Sequence, residues 1–187
     1  MATDTKIFTN LAGEFLVAAE LNRRHILCSV TYGASKSADV FAFSDDSGRV
    51  VRVEVKSTDK MFGDKTEWPI GQRGMKAGAT EHIWIFVLLP SPLDKQTDDD
   101  CERGRHAPRF FVLTGAEVQK LGEENHEEYS RRYQAKHGVP YPVEKGVPQI
   151  RLVKIREHEA AWSKISTAMK YHPHLRDWGK TQPPILP

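Results

Sequence analysis

The chain has 187 residues, of which 39% are hydrophobic and 28% are charged, the balance of an ordinary globular protein with one sizeable core. The formal net charge of +2 does not by itself indicate a nucleic-acid partner, although a near-neutral protein can still carry a positive groove. No apolar segment approaches the roughly 20 residues that cross a bilayer, and the first residues do not resemble a signal peptide, so we predict a cytoplasmic protein without a membrane partner.

The first third of the sequence predicts a helix followed by three strands. Apolar residues recur at three- and four-residue steps over residues 4–24, which is the spacing of an amphipathic helix. Glu14 falls on the apolar side of this helix, where a charge is unusual. A turn sequence, Asp-Asp-Ser-Gly, separates the second and third strands and predicts that they pair as an antiparallel hairpin. The three predicted strands cover residues 26–32, 39–44 and 50–57.

The rest of the sequence predicts one more apolar strand and a mixture of shorter elements. The run at 82–89 is almost wholly apolar, which predicts a central strand buried on both faces. The other predicted elements are a loop at 58–69, a short helix within 70–79, an exposed loop at 91–108, a strand at 109–113, a helix from 115 to 135 capped by Thr114, a loop at 137–148, a strand at 150–155, and a helix containing Trp162, Ile165 and Met169. This order predicts a single α/β domain over residues 1–170, with a mixed central sheet flanked by helices and a loosely held tail at 171–187.

The third predicted strand carries residues that suggest a metal site. Because side chains alternate between the faces of a strand, Arg52, Glu54 and Lys56 share one face. Burying an acid and a lysine there is costly unless they have partners. A Mg²⁺ ion would be a partner for Glu54, since Mg²⁺ is held by one or two carboxylates with water and phosphate. Asp39 on the neighbouring strand can add a second carboxylate and Val55 a carbonyl oxygen, while Lys56 would neutralise charge at a phosphate.

These residues also match a known motif. Asp39, followed after 14 residues by Glu54-Val55-Lys56, resembles the motif of the PD-(D/E)XK, or restriction-endonuclease-like, nucleases. Ala38 occupies the position of the proline that is often seen in that motif. The resemblance implies that Asp39, Glu54 and Val55 bind the metal and that Lys56 is the catalytic lysine.

Further matches lie outside the motif. Glu14, in the sequence Gly-Glu-Phe, resembles the first-helix acid of archaeal Holliday-junction resolvases, which helps to assemble the metal site and would make Glu14 a fourth catalytic residue. The segments VEVKST, WPIG, IWIFVLL and RFFVLTGAEV, with Trp162, are similar to a group of small PD-(D/E)XK-like proteins. The resemblance implies a restriction-endonuclease-like sandwich and a hydrolase that cleaves nucleic acid, most naturally DNA, with Mg²⁺ or Mn²⁺ as cofactor.

Four further residues are candidates for contacts with nucleic acid. Ser35 and Lys36 lie in the loop sequence Gly-Ala-Ser-Lys-Ser, which lacks the first glycine of a P-loop but can contact a DNA phosphate. Arg52 shares a strand face with Glu54. Gln72 is similar to a glutamine that some nuclease branches carry after the motif.

Other interpretations of the same residues stay open at this point. Glu54 and Lys56 could form an exposed ion pair on an edge strand, Asp39 could cap a turn, and Glu14 could lie at the border of the apolar stripe. The alternative function is a catalytically inactive nuclease-fold module that binds nucleic acid or a protein partner. A homodimer and a protein partner in a defence or repair system are both compatible with the sequence.

Overall fold

The computed structural model describes residues 2–31, 38–44, 48–59, 63–75, 82–90, 107–141 and 148–170. Ser35 and Lys36, residues 91–106 of the predicted exposed loop, and the predicted tail at 171–187 lie outside these described residues. All the other candidate site residues lie within them.

The described chain folds into seven strands, four helices and three short 3-10 turns. The strands are β1 (Leu27–Val30), β2 (Val40–Phe43), β3 (Val50–Thr58), β4 (Glu67–Pro69), β5 (His82–Leu88), β6 (Arg109–Thr114) and β7 (Gln149–Arg151). The helices are α1 (Ala2–Arg23), α2 (Gly115–His137), α3 (Leu152–Ile155) and α4 (Ser163–Lys170). The 3-10 turns cover Gly63–Lys65, Gln72–Met75 and Arg156–His158.

A five-stranded mixed sheet forms the centre of the fold. Its strands lie in the order β1-β2-β3-β5-β6, in which β3 and β5 run parallel and each of the other neighbouring pairs is antiparallel. The predicted hairpin of β2 and β3 is confirmed, with Val40 opposite Val53. A separate two-stranded sheet is formed by β4 and β7. The predicted α/β class with a mixed central sheet is therefore confirmed.

Apolar clusters cover both faces of the central sheet. Helices α1 and α4 cover one face, where Val17, Leu21 and Ile165 pack with the inward-facing valines of β2 and β3. The other face is covered by α2, by the β4–β7 sheet and by α3, around Trp68 and Trp84. Strand β5 contributes alternate residues to both clusters, which confirms that the run at 82–89 is a central strand buried on both faces.

Helix α2 begins at the predicted cap and continues two residues beyond its predicted end, through His137. Thr114 Oγ1 accepts a hydrogen bond from the backbone N–H of Glu117, and the Glu117 carboxylate accepts one from the backbone N–H of Thr114, which completes a capping box. Gly138 ends the helix in the left-handed conformation, at φ 70°. Lys164 of α4 donates to Glu117 at 2.7 Å and so ties the two helices together. None of the helices in the described residues has the length and apolarity needed to cross a membrane.

Three local predictions are corrected by the structure. The predicted strand at 150–155 ends after Arg151, the last residue of β7, and the chain continues as helix α3. Leu152 and Ile155 lie three residues apart, so this helix buries both in the cluster around Trp68 and Trp84. The predicted loop at 58–69 contains β4, whose pairing partner β7 is distant in sequence. The predicted helix within 70–79 is, in its described part, only the 3-10 turn Gln72–Met75.

Candidate functional site

Strand β3 presents an acid and a lysine beside an aromatic residue of β5. Lys56 Nζ lies 2.6 Å from Glu54 Oε1, and it also lies 5.7 Å from the ring centroid of Trp84. Glu54 is only 7% exposed, and β3 is an inner strand between β2 and β5. The alternative of an exposed ion pair on an edge strand is therefore wrong. A buried carboxylate paired with a lysine is a costly arrangement that needs further polar partners.

Asp39 is fixed at the start of β2 by its contacts with β3. Its backbone N–H donates to the carbonyl oxygen of Val53 at 3.0 Å, and its Oδ2 accepts a hydrogen bond of 2.7 Å from the backbone N–H of Val55. The carboxylate thus lies against the backbone of β3 beyond the last β2 pair, Val40 with Val53. Residues two apart in a strand direct their backbone groups to the same edge, so the carbonyl oxygen of Val55 is directed to the edge where Asp39 lies.

Glu14 reaches the same region from helix α1. Its neighbour Gly13 packs so closely on β3 that a Cβ atom there would lie 1.7 Å from Ser57 Oγ. Val17 and Leu21, at helical spacing beyond it, anchor α1 in the core. The absence of a side chain at Gly13 therefore lets the helix approach the strand at the turn that carries Glu14.

The electrostatic environment of Glu14 reports its nearness to the other acidic groups. The pKa of Glu14 is raised from 4.5 to about 7, and burial of the carboxyl group is the largest cause. Within this net shift, the negative charges of Asp39 and Glu54 also act to raise the pKa, whereas the positive charge of Lys56 acts to lower it. Three carboxyl groups and one lysine, which come from α1, β2 and β3, are thus electrostatically coupled.

A cavity of about 900 Å³ opens at the carboxyl-terminal end of β3. Four of the predicted site residues line it: Glu14, Asp39, Val55 and Lys56. The remaining lining comes from α1, the end of β3, the Gly63–Lys65 turn, β4 and β7. These lining residues are Lys6, Thr9, Asn10, Ser57, Thr58, Asp59, Lys65, Glu67, Trp68, Pro69 and Gln149.

The donor groups of this cavity fit a hard divalent cation. Within the described ranges, no three His, Cys, Asp or Glu side chains are arranged as a ready-made metal cluster. Mg²⁺ does not require such a cluster, because it keeps several waters and is commonly bound through one or two carboxylates and the phosphates of a substrate. Asp39 and Val55, which line the cavity, supply oxygen ligands of this kind. Glu54 does not line the cavity, but it is paired with Lys56, which does, and it is a second carboxylate of the same kind.

The structure separates the other candidate residues from the cavity. Arg52 lies on β3 two residues before Glu54, and Gln72 lies exposed in a 3-10 turn, yet neither lines the cavity. The sequence analysis did not single out Lys6, Asn10, Lys65 or the other polar lining residues. A signal was present for two of them, because Lys6, Asn10 and Glu14 recur every four residues and so share one side of α1. Lys65 gave no comparable signal, since it lies in a segment predicted as a loop.

No protein-family model, curated protein sequence or solved structure matches this chain. Its function therefore has to be inferred from the chemistry of its own residues. The cavity at the end of β3, with its coupled acids and lysine, is the strongest basis for that inference.

Proposed function

We propose that this chain is a metal-dependent nuclease that hydrolyses phosphodiester bonds in nucleic acid, with DNA as the expected substrate. The observation that carries the proposal is the ion pair between the buried Glu54 and Lys56, because Lys56 lines the same cavity as Asp39 and Glu14. Acids grouped with one lysine are what hydrolysis of a phosphodiester needs, because negative charge must be stabilised on the phosphate while water attacks. We further infer that the central sheet and its covering helices form a restriction-endonuclease-like sandwich.

The acidic residues would hold the cofactor. Asp39 and Glu54 would bind Mg²⁺ or Mn²⁺ through their carboxylates, with the carbonyl oxygen of Val55 as a further ligand and Glu14 assisting. When bound, the ion polarises a phosphoryl oxygen and makes water a better nucleophile. The hydrogen bond from the Val55 N–H holds the Asp39 carboxylate in a fixed orientation before any ion arrives.

Lys56 would act on the reacting phosphate. Its ammonium group is held at 2.6 Å from Glu54 and packs near the Trp84 ring, so its position is restricted by both residues. A positive charge held in place at this point stabilises the charge that accumulates on the phosphate oxygens in the transition state. Lys56 also lines the cavity, which makes its ammonium group accessible to a substrate there.

The experiment that tests this proposal is a cleavage assay with labelled duplex, single-stranded, four-way-junction and RNA substrates in Mg²⁺ or Mn²⁺. Wild type is compared with Glu54→Ala and Lys56→Ala. Glu124→Ala and Lys120→Ala on the exposed side of α2 serve as controls that make the same changes away from the cavity.

Three outcomes are decisive. Metal-dependent cleavage that is lost in both cavity variants and retained in both controls supports the nuclease. Full cleavage by Glu54→Ala and Lys56→Ala would overturn the mechanism. A folded wild-type protein that binds these substrates and cuts none of them would instead indicate the inactive nucleic-acid-binding module.

A further inference from the structure

The walls of the cavity come from layers on opposite faces of the central sheet. Helix α1 covers one face, whereas Trp68 of β4 packs in the cluster on the other face. The cavity at the end of β3 thus lies between α1 and the segment formed by the Gly63–Lys65 turn and β4. Its volume of about 900 Å³ is near the upper end of the roughly 300–1,000 Å³ typical of pockets that enclose a small ligand.

Each of these two walls carries an exposed lysine. Lys6 comes from α1 and Lys65 from the end of the 3-10 turn, and both line the cavity. In the described part of the chain, neither lysine forms an ion pair, in contrast to Lys56 with Glu54. Two ammonium groups that flank a reactive centre are suited to contact phosphates on either side of the one being cleaved.

Among the residues that the structure describes, the remaining lining offers hydrogen-bonding groups and no exposed aromatic platform. Thr9, Asn10 and Gln149 carry neutral polar side chains at the cavity, and Asp59 and Glu67 add two carboxylates. The positive charge available to phosphates on these walls is therefore that of the lysines. Trp68, the aromatic residue of the lining, is fully buried, so that its ring cannot stack on a base. Contacts in such a cavity go to phosphates and sugars, which do not distinguish one base sequence from another.

We propose that the cavity holds one unpaired strand of nucleic acid, with its phosphates contacting Lys6 and Lys65. This inference rests on the proposed nuclease function, because it names the substrate of the same site. The cavity is partly open, with α1 on one side and the 3-10 turn and β4 on the other, so it can admit a short stretch of one strand, whereas a duplex would bring its second strand against these walls. The shape of the cavity therefore favours single-stranded over duplex nucleic acid. The two lysines supply affinity that does not depend on the base sequence.

The test is binding measured by fluorescence anisotropy in the Glu54→Gln background with Mg²⁺ present, so that cleavage does not consume the probe. The probes are labelled oligothymidylate, the same strand paired with oligodeoxyadenylate, and oligouridylate, which separates single-stranded DNA, duplex DNA and RNA. Lys6→Ala and Lys65→Ala are each added to this background, and Lys120→Ala is the matched control. All of these lysines are exposed, and circular dichroism verifies that each variant is folded.

We expect a single strand to bind about tenfold or more tightly than the duplex, as is ordinary for a phosphate-tracking groove that excludes the paired form. The slope of log affinity against log salt is negative, and removing a cavity lysine that contacts a phosphate should reduce its magnitude by about 0.7. Lys120→Ala should leave the slope unchanged. Duplex binding as tight as single-strand binding, or slopes for Lys6→Ala and Lys65→Ala equal to that of Lys120→Ala, would overturn the inference.

These binding data, taken together with the wild-type cleavage assay, separate this inference from the proposed activity. Single-strand binding with the expected slopes, by a chain that cuts no substrate with any metal, would overturn the nuclease and keep the strand-binding cavity. Metal-dependent cleavage with slopes that do not change would overturn the strand-binding role of the two lysines alone.

Discussion

Asp39 Oδ2 accepts a hydrogen bond of 2.7 Å from the backbone N–H of Val55, across the junction between β2 and β3. This contact satisfies a backbone donor of a buried residue and also fixes the carboxylate beside Glu54 and Lys56. One side chain thus has a structural role and a proposed metal-binding role, and the two roles can be separated by the choice of substitution.

The first prediction compares Asp39→Asn with Asp39→Ala. The amide oxygen of asparagine can still accept from the Val55 N–H, so we expect stability within about 0.5 kcal/mol of wild type and a loss of metal-dependent cleavage of about 100-fold or more. Alanine leaves the buried Val55 N–H without its acceptor, so we expect Asp39→Ala to have a free energy of unfolding about 1–3 kcal/mol lower than that of Asp39→Asn. Urea unfolding curves and cleavage rates measure the two effects. Equal stability of the two variants would argue against the structural role of the hydrogen bond.

The second prediction concerns the pH dependence of stability in the absence of divalent ions. The pKa of Glu14 is raised from 4.5 to about 7, so the folded state holds the Glu14 proton more tightly than the unfolded state. The resulting stability is fully present below about pH 4.5 and is lost as the pH rises to about 7. The full pKa difference corresponds to about 3 kcal/mol in the free energy of unfolding. Because Glu14 is partly exposed, we expect a change of about 1–2 kcal/mol.

Glu14→Gln is the variant that measures this effect. Glutamine remains neutral at every pH, so the variant should be more stable than wild type at pH 8 and nearly equal to it at pH 4. Glu124→Gln, which removes an exposed carboxylate from α2, serves as the control. Thermal melts in EDTA across this range test the prediction, and a difference between Glu14→Gln and wild type that does not vary with pH would contradict it.

The third prediction is that Mg²⁺ stabilises the folded protein. An ion that binds the folded state alone raises its stability, by about 2.7 kcal/mol at a concentration of 100 times the Kd. We expect the Tm of wild type to rise with Mg²⁺, since the ion relieves repulsion among Glu14, Asp39 and Glu54. The rise should be absent from Asp39→Asn and Glu54→Gln. Differential scanning calorimetry at matched ionic strength measures it, and an equal rise in all three proteins would place the bound ion elsewhere.

The fourth prediction concerns the close approach of α1 to β3. Replacing glycine by alanine inside a helix ordinarily stabilises it, but a Cβ at Gly13 would meet Ser57 Oγ at 1.7 Å. We therefore expect Gly13→Ala to destabilise the fold by about 1–3 kcal/mol and to reduce cleavage by moving Glu14. The cost should be smaller in a Ser57→Gly background, where the clashing atoms are absent.

The matched control for this prediction is Gly122→Ala in α2. A Cβ there would meet Met75 Sδ at 2.7 Å and Ile70 Cδ1 at 2.9 Å, but both atoms belong to the far ends of side chains, which can shift more easily than atoms near the backbone. We expect a smaller cost than at Gly13. A double-mutant cycle of Gly13→Ala with Ser57→Gly measures the coupling between the two positions, and additive effects would show that the two residues do not interact.

The sequence by itself determined the local elements that carry the proposed chemistry. Alternation along β3 assigned Glu54 and Lys56 to one face, and the turn after residue 44 predicted the pairing of β3 with β2. The apolar run at 82–89 predicted the central strand that buries Trp84 beside Glu54. These features depend on periodicity and on short-range turn chemistry, which a single sequence expresses directly.

Only the tertiary structure decided how the second wall of the cavity is built. Strand β4 pairs with β7 from far along the chain, and three-residue strands carry too little periodicity to be recognised alone. The proximity of Glu14 to Asp39 depends on the contact of Gly13 with Ser57, which joins two elements that the sequence specifies independently. Packing between segments that are distant in sequence decides which helix and strand faces meet, and no local sequence pattern encodes this choice.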